Sequence, residues 1–170
     1  MSVTHVVGID PGLVHTGVVE LVFSPKLKKV QVQHEAVSGP DAAAVKDFIT
    51  RPVTDPDLWR GGPPRIFIEK YQPRSHLNTD ARMTVAVAEM KAALPGSEVL
   101  LNTGVKKVVR HPLMEILQCW SFPTVTHHQD LRSAARIAIY GMLKDEQMNR
   151  LLADIVRDRL DGVAWDVDAQ

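Results

Sequence analysis

Cysteine is nearly absent from this chain of 170 residues, which contains only Cys119, so no disulfide can form within it. Low cysteine content is typical of the reducing cytosol, and we expect a cytoplasmic location. The N-terminus has no basic segment followed by a long apolar stretch. No run of about 18 apolar residues occurs anywhere in the chain. We therefore expect neither a signal peptide nor a membrane span.

The chain also lacks net charge, because 20 lysine and arginine residues balance 20 aspartate and glutamate residues. This balance argues against a polycationic nucleic-acid binder, although a basic groove beside an acidic site gives the same sum. The length and the 45% hydrophobic content are those of a globular protein with a buried core. We predict one domain over residues 1–160 and an acidic flexible tail over 161–170.

The order of the predicted elements indicates an α/β fold. Apolar segments over 4–10, 16–23 and 29–37 predict three successive antiparallel strands. Two further strands, over 65–70 and 97–102, alternate with helices. The helices are predicted over 41–50, 78–94, 105–118, 130–144 and 146–160, and Pro112 can divide or kink the third of them. Residues 51–64, rich in Pro and Gly, predict a loop. Together these elements predict a five-stranded mixed sheet flanked by helices.

Three acidic residues stand at the ends of predicted elements. Asp10 ends the first strand, Glu69 ends the fourth, and Asp130 opens a helix. If the three converge, their repulsion raises their pKa values and a divalent cation relieves it. Oxygen ligands favour Mg²⁺ or Mn²⁺, and a pair of such ions can hydrolyse a phosphodiester. Individually, Asp10 also fits a turn, Glu69 a solvated strand end, and Asp130 a helix first turn.

A pair of histidines, His127 and His128, precedes Asp130 and adds groups that titrate near neutral pH. His127 lies three residues before Asp130 at a helix start, so both side chains can face one point. His127 can then bind a metal ion or act as general base on an attacking water. The sequence leaves open which of the two histidines is functional.

Segments in the first part of the chain resemble motifs of the RuvC-type Holliday junction resolvases, which belong to the RNase H-like superfamily. Gly8–Gly12, followed by Thr16 and Gly17, is similar to their first motif, and Ile66–Glu69 is similar to their second. Further along, Val105–Lys107 resembles their Val-Lys-Lys stretch. Residues from His127 to Ala138 resemble their last motif, so that the resemblance covers about residues 5–144.

The resemblance implies an RNase H-like fold in which Asp10, Glu69 and Asp130 are metal ligands. His127 stands where CRISPR effector nucleases have a catalytic histidine in their third RuvC motif. Resolvases usually carry a second acid three residues after the first in the last motif, and Ser133 occupies that position here. His127 would then supply the missing function. A short chain with this pattern resembles phage-encoded members, which would act in the host cytoplasm.

Basic and aromatic residues near the three acids are the predicted DNA contacts. They follow the fourth strand, begin the helix after the fifth strand, or lie on the Asp130 helix: Lys70, Tyr71, Arg74, Lys106, Lys107, Arg110 and Arg132. The cations would bind phosphates, and Tyr71 would stack on an unpaired base at a branch point. Solvated helix charges are the alternative interpretation of the basic residues.

Family members act as dimers, and we expect a homodimer here. The helix over 78–94 carries more apolar positions than one buried stripe needs, which is consistent with a contact between two copies.

We therefore predict a metal-dependent, structure-specific endonuclease that resolves Holliday junctions and other branched DNA with two Mg²⁺ or Mn²⁺ ions. An ATP-handling protein of the actin and sugar-kinase type shares the core fold, but it needs two such domains and a Gly-rich phosphate motif that this sequence lacks. The other alternative is a noncatalytic branched-DNA-binding module of the same fold. The presence of all three acids argues against it.

Overall fold

The computed structural model describes residues 3–24, 29–51, 62–72, 80–122 and 126–167, and only the backbone of Lys29 and of residues 161–167. The strands are β1 (Thr4–Asp10), β2 (His15–Ser24), β3 (Lys29–Ser38), β4 (Arg65–Lys70) and β5 (Glu98–Leu101). The helices are α1 (Ala42–Thr50), α2 (Ala81–Ala93), α3 (Val105–Val108), α4 (His111–Ile116), α5 (His128–Lys144) and α6 (Glu146–Val167).

The strands form a five-stranded mixed sheet in the order β3-β2-β1-β4-β5. Strand β2 pairs antiparallel with both β1 and β3, whereas β1 pairs parallel with β4 and β4 pairs parallel with β5. The carboxyl ends of β1, β4 and β5 therefore lie at one edge of the sheet. The predicted α/β fold with a five-stranded mixed sheet is confirmed.

Alternating strand residues build a core on each face of the sheet, because successive side chains in a strand point to opposite faces. On one face, α5 packs with α4 and α6 against a core that includes Val19 and Phe67. On the other face, α1 and α2 cover a second core that includes Val7, Ile9 and Ile68. Within the described residues, no helix is long and apolar enough to cross a membrane.

Small residues allow α5 to lie directly on the sheet. A Cβ atom added at Gly8 would collide with the carbonyl oxygen of Ala134, and one added at Gly17 would collide with that of Asp130. At the other end of the helix, Gly141 faces the ring of Phe67 in the same way. This close approach positions the first turn of α5 above the ends of β1 and β2.

Two helices differ from the sequence prediction. The stretch predicted as one helix over 105–118 is divided into α3 and α4, and Pro112 lies in the first turn of α4, where its missing N–H costs no hydrogen bond. Helix α6 continues past residue 160 to Val167, because residues 161–167 contain no proline to stop it. Part of the segment predicted as a tail is therefore helical, and the flexibility of that tail stays a prediction.

One further boundary, the start of α5, differs from the prediction, and the predicted loop over 51–64 can be compared only at its ends. Helix α5 begins at His128, so that Asp130 stands in its first turn rather than opening it. Most of the loop predicted over 51–64 lies outside the described residues.

Candidate active site

Two of the acids stand side by side at the carboxyl edge of the sheet. Ile9 of β1 pairs with Ile68 of β4, so Asp10 and Glu69, the next residue in each strand, are neighbours. Both point toward α5, because they alternate with residues of the opposite core. Asp130 approaches from above, since its backbone contacts Gly17, the β2 partner of Asp10. The fold thus brings together the three acids predicted from the sequence.

The environment of these acids opposes their ionisation. Burial, and then the negative charges of Glu69 and Asp130, raise the pKa of Asp10 from 3.8 to about 8, although a hydrogen bond with Ser133 acts in the opposite direction. Burial also raises the pKa of Glu69, against the effects of Asn102 and of the positive charge on Lys106. A carboxyl with a raised pKa beside other acids is a group that a bound cation would stabilise in its charged form.

Asn102, just after β5, holds Glu69 in place. Its Nδ2 donates a hydrogen bond to Oε1 of Glu69, while Oε2 of the same carboxylate is buried and accepts no hydrogen bond from a basic or amide group of the described residues. Leaving a buried oxygen without a donor costs free energy, and a cation would remove that cost. The sequence prediction missed Asn102, although its place after a strand that ends at the same edge was a signal for it.

A cavity of about 510 Å³ opens beside the acids. Asp10 and Glu69 contribute carboxylates to its lining, and Lys106 and Lys107 contribute positive charge. Tyr71 also lines the cavity. Three of the predicted DNA contacts therefore lie next to the acids, in an arrangement that can accept a phosphodiester and an adjacent base.

Two other predicted DNA contacts, Lys70 and Arg110, are not among the residues that line this cavity. Lys70 is exposed and, by strand alternation, points to the face opposite Glu69. Nε of Arg110 donates a 3.1 Å hydrogen bond to the carbonyl oxygen of Lys107. Arg74 lies outside the described residues.

Arg132, another predicted contact, lies against Trp120. Its guanidinium carbon lies 4.1 Å from the centre of the indole ring, and its Nε donates a 2.7 Å hydrogen bond to the carbonyl oxygen of Trp120.

The two histidines before Asp130 diverge. His127 is the N-cap residue of α5, and its ring centre lies 3.7 Å from that of His15, at the start of β2. His128 instead lies near His34, whose pKa is lowered by burial and by the charge of His128. The imidazole Nδ1 of His128 is buried without a partner. His15 lies two residues before Gly17 in β2, so both face the side of the sheet that carries α5. His127, which contacts His15, is therefore on the side that holds the acids.

The donor chemistry of the site fits a hard divalent cation. Asp10 and Glu69 present carboxylate oxygens at the cavity, one of them without a partner, and Asp130 adds negative charge. Oxygen donors of this kind are those that Mg²⁺ and Mn²⁺ prefer. In the described parts of the chain, however, no three His, Cys, Asp or Glu side chains already form a complete ligand group.

Comparison with solved structures identifies the fold. The chain is similar to Thermus thermophilus RuvC in complex with a Holliday junction substrate, with a TM-score of 0.52, 18% identity, and coverage of 80% of this chain and 91% of that chain. It is also similar to a second structure of Thermus thermophilus RuvC, with a TM-score of 0.51, 20% identity, and coverage of 83% and 97%. The chain has the RuvC fold.

The predicted RNase H-like fold is therefore confirmed. A weaker similarity, with a TM-score of 0.41 and 10% identity, links 83% of this chain to 98% of a fowlpox virus resolvase in complex with Holliday junction DNA. No protein-family model and no curated protein matches the sequence.

Proposed function

We propose that this protein is a metal-dependent, structure-specific endodeoxyribonuclease that resolves branched DNA. The observation that supports the chemistry is the buried acid cluster, in which Glu69 and Asp130 help to raise the pKa of Asp10 to about 8. The observation that supports the substrate is the shared fold with a RuvC solved in complex with a Holliday junction substrate. A shared fold does not by itself determine the substrate, so cleavage of a four-way junction beside a linear duplex tests the junction assignment.

In this proposal, Asp10, Glu69 and Asp130 hold Mg²⁺ or Mn²⁺, with His127 as a further ligand or as a base. Two such ions, when bound, would supply an activated water and charge stabilisation for the leaving oxygen. Asn102 keeps one oxygen of Glu69 occupied and leaves the other available. The His127 imidazole accepts a proton from the attacking water, and its contact with His15 limits its orientation.

The cavity residues bind and orient the DNA. Lys106 and Lys107 neutralise phosphates of the DNA in the cavity, while Tyr71 stacks on a base that is unpaired at the branch point. A regular duplex offers no unpaired base for this stacking, so the arrangement favours DNA in which a base is released at a branch point.

We also propose that two copies act together as a homodimer, so that two symmetric strands of a junction are cut. Helix α2 supports this, because Val85 is 53% exposed on a helix whose buried residues are Ala86 and Met90. A cytoplasmic location and a phage origin, which were expected from the sequence, stay predictions.

The test is cleavage of a labelled four-way junction beside a linear duplex of matched sequence, with Mg²⁺ or with EDTA. The variants are Asp10→Asn and, as a matched surface control, Asp154→Asn on α6, whose carboxylate pairs with Arg157. We expect symmetric nicks in the junction that require Mg²⁺ and Asp10 and survive Asp154→Asn.

Each other outcome changes the proposal in a defined way. Cleavage of flaps or linear duplex alone would keep the nuclease chemistry and remove the junction assignment. Binding of the junction that survives EDTA, with no cleavage under any metal, would establish the noncatalytic DNA-binding module instead.

A further inference from the structure

Two arginines of α5 share one aromatic ring outside the candidate active site. The guanidinium carbons of Arg132 and Arg136, one helical turn apart, lie 4.1 and 5.4 Å from the ring centre of Trp120. The imidazole of His111 also contacts this ring, with ring centres 3.9 Å apart. We call these four residues the Trp120 cluster.

The positive charge of the Trp120 cluster is poorly compensated. Within the described ranges, no carboxylate forms an ion pair with Arg132 or Arg136, while Glu115 pairs with His111. Nε of Arg136 is buried without a hydrogen-bond partner. Burial and the charge of Arg132 together lower the pKa of the Arg136 guanidinium. Two half-buried cations with an unpaired donor would be stabilised by an anion.

A chain of contacts connects the Trp120 cluster to the cavity. Lys107 lines the cavity, and its carbonyl oxygen accepts the hydrogen bond from Arg110. Arg110 is the residue before His111, which contacts Trp120 directly. Basic side chains therefore follow one another from the acid cluster along α3 to the outer side of α5.

We propose that the Trp120 cluster is a second phosphate-binding site, which holds the backbone of a duplex arm while the branch point occupies the cavity. This inference rests on the proposed function, because it takes the DNA from that proposal. Arginine suits the role, since its planar fork can bind two phosphate oxygens at once. Trp120 orients the guanidinium groups and does not stack on a base, because His111 and the arginines already contact its ring. Such contacts position DNA without reading its sequence.

The experiment measures the salt dependence of DNA affinity. Binding of the four-way junction and of linear duplex is titrated from low to moderate salt with Mg²⁺ present, in the 170-residue chain made cleavage-inactive by Asp10→Asn. The added variants are Arg132→Gln, Arg136→Gln and Arg136→Lys. The control is Arg150→Gln on α6, an exposed arginine that pairs with Glu146.

We expect each glutamine variant to reduce the slope of log affinity against log salt by about 1, equally for the junction and the duplex. Arg136→Lys should keep the slope, because it keeps the charge, and Arg150→Gln should not change it. In protein with an intact Asp10, Arg132→Gln should raise KM for the junction several-fold and leave kcat unchanged.

The outcomes separate this inference from the proposed function. Junction binding whose slope is unaffected by both glutamine variants would overturn the phosphate site and leave the nuclease proposal standing. A protein that binds neither DNA would overturn both. If Arg132→Gln fails to fold, the salt slopes of Arg136→Gln and Arg136→Lys still test the phosphate site, because these two variants differ only in the charge at position 136.

Discussion

At the scale of single residues, Asp10 should make the metal-free protein less stable as pH rises. Its pKa is about 8 in the folded chain and 3.8 as an ordinary value, so between these pH values the folded chain holds a proton that the unfolded chain has lost. The free energy of unfolding therefore falls as pH rises through this window. The raised pKa of Glu69 acts in the same direction.

We expect the Tm in EDTA to fall between about pH 5 and about pH 8 by on the order of 5 °C more in the unsubstituted chain than in Asp10→Asn. Mg²⁺ at the higher pH should recover that difference, because it binds the folded state alone. Thermal denaturation followed by circular dichroism measures both. Equal pH dependence in the two proteins would show that Asp10 is not the group responsible.

Asn102 should control how tightly a cation is held. Asn102→Ala removes the hydrogen bond to Oε1 of Glu69 and leaves that carboxylate less fixed. Loss of a residue that hydrogen-bonds to a metal ligand typically lowers metal affinity by about 10–100-fold. We therefore expect the Mn²⁺ affinity of Asn102→Ala to fall by about 10-fold or more. Mn²⁺ titration by electron paramagnetic resonance measures this without DNA. Thr103→Val is the matched control, since Thr103 exchanges hydrogen bonds with Gln72 rather than with an acid. An unchanged Mn²⁺ affinity in Asn102→Ala would remove Asn102 from the site.

The sequence predicts some of these residues much better than others. Asp10 and Glu69 are recognisable because each directly follows an apolar run, and parallel strands of one sheet end at one edge. Ser133 and Asn102 carry no charge, so their residue type alone does not mark them. Ser133 stands out only through the resemblance, and Asn102 only through its position after a strand that ends at the same edge. The sequence leaves open the choice between His127 and His128, and the proposal for His127 draws on its contact with His15.

At the scale of elements, the position of α5 depends on glycines that admit its backbone. Gly17→Ala places a methyl group against the carbonyl of Asp130 and should push the first turn of α5 away from β2. We expect a loss of about 2 kcal/mol or more in unfolding free energy, as for other overpacked positions. Cleavage should decline further than stability explains, since Asp130 moves with the turn. Urea denaturation and single-turnover cleavage measure the two effects.

Gly62→Ala is a matched control for Gly17→Ala, because a Cβ atom at Gly62 meets no heavy atom of the described residues within 4 Å. Wild-type stability in Gly17→Ala would mean that β2 and α5 can separate without cost. A cleavage rate in Gly17→Ala equal to that of the unsubstituted chain would mean that catalysis does not depend on the position of Asp130.

Elements with strong periodicity are predictable from the sequence, and their ends are less so. Strand β1 matches its predicted range because apolar residues run without interruption to Asp10 and a Pro-Gly turn follows. The division of α3 from α4 is only suggested by Pro112, since proline fits the first turn of a new helix as well as a kink. The added length of α6 was missed because acidic residues indicated a solvated tail, although they are compatible with a helix.

At the scale of the whole molecule, the zero net charge conceals two opposed regions. Acidic groups gather at the carboxyl edge of the sheet, and basic groups extend from the cavity toward Trp120. Composition alone cannot separate these regions, because it sums over them. Their separation is what a nuclease needs, since the acids would repel a phosphate backbone that the neighbouring cations and a bound metal ion attract.

Pairing of two copies through α2 is the remaining prediction at this scale. Val85→Asp puts a charge on the exposed side of α2, where Val85 is 53% exposed and its change should not disturb the core. We expect the mass at micromolar concentration, measured by light scattering, to change from that of a dimer to that of a monomer. Leu160→Asp on α6, where Leu160 is 51% exposed, is the matched control and should remain dimeric.

Cleavage should change in step with assembly, because one active site can cut only one of the two symmetric strands at a time. In Val85→Asp, a junction should therefore collect single nicks, and the paired nicks that release two duplexes should become rare. Each nick should still require Mg²⁺ and Asp10, since the site itself is unchanged. A monomeric mass for the unsubstituted chain, or a dimer that withstands Val85→Asp, would exclude α2 as the contact.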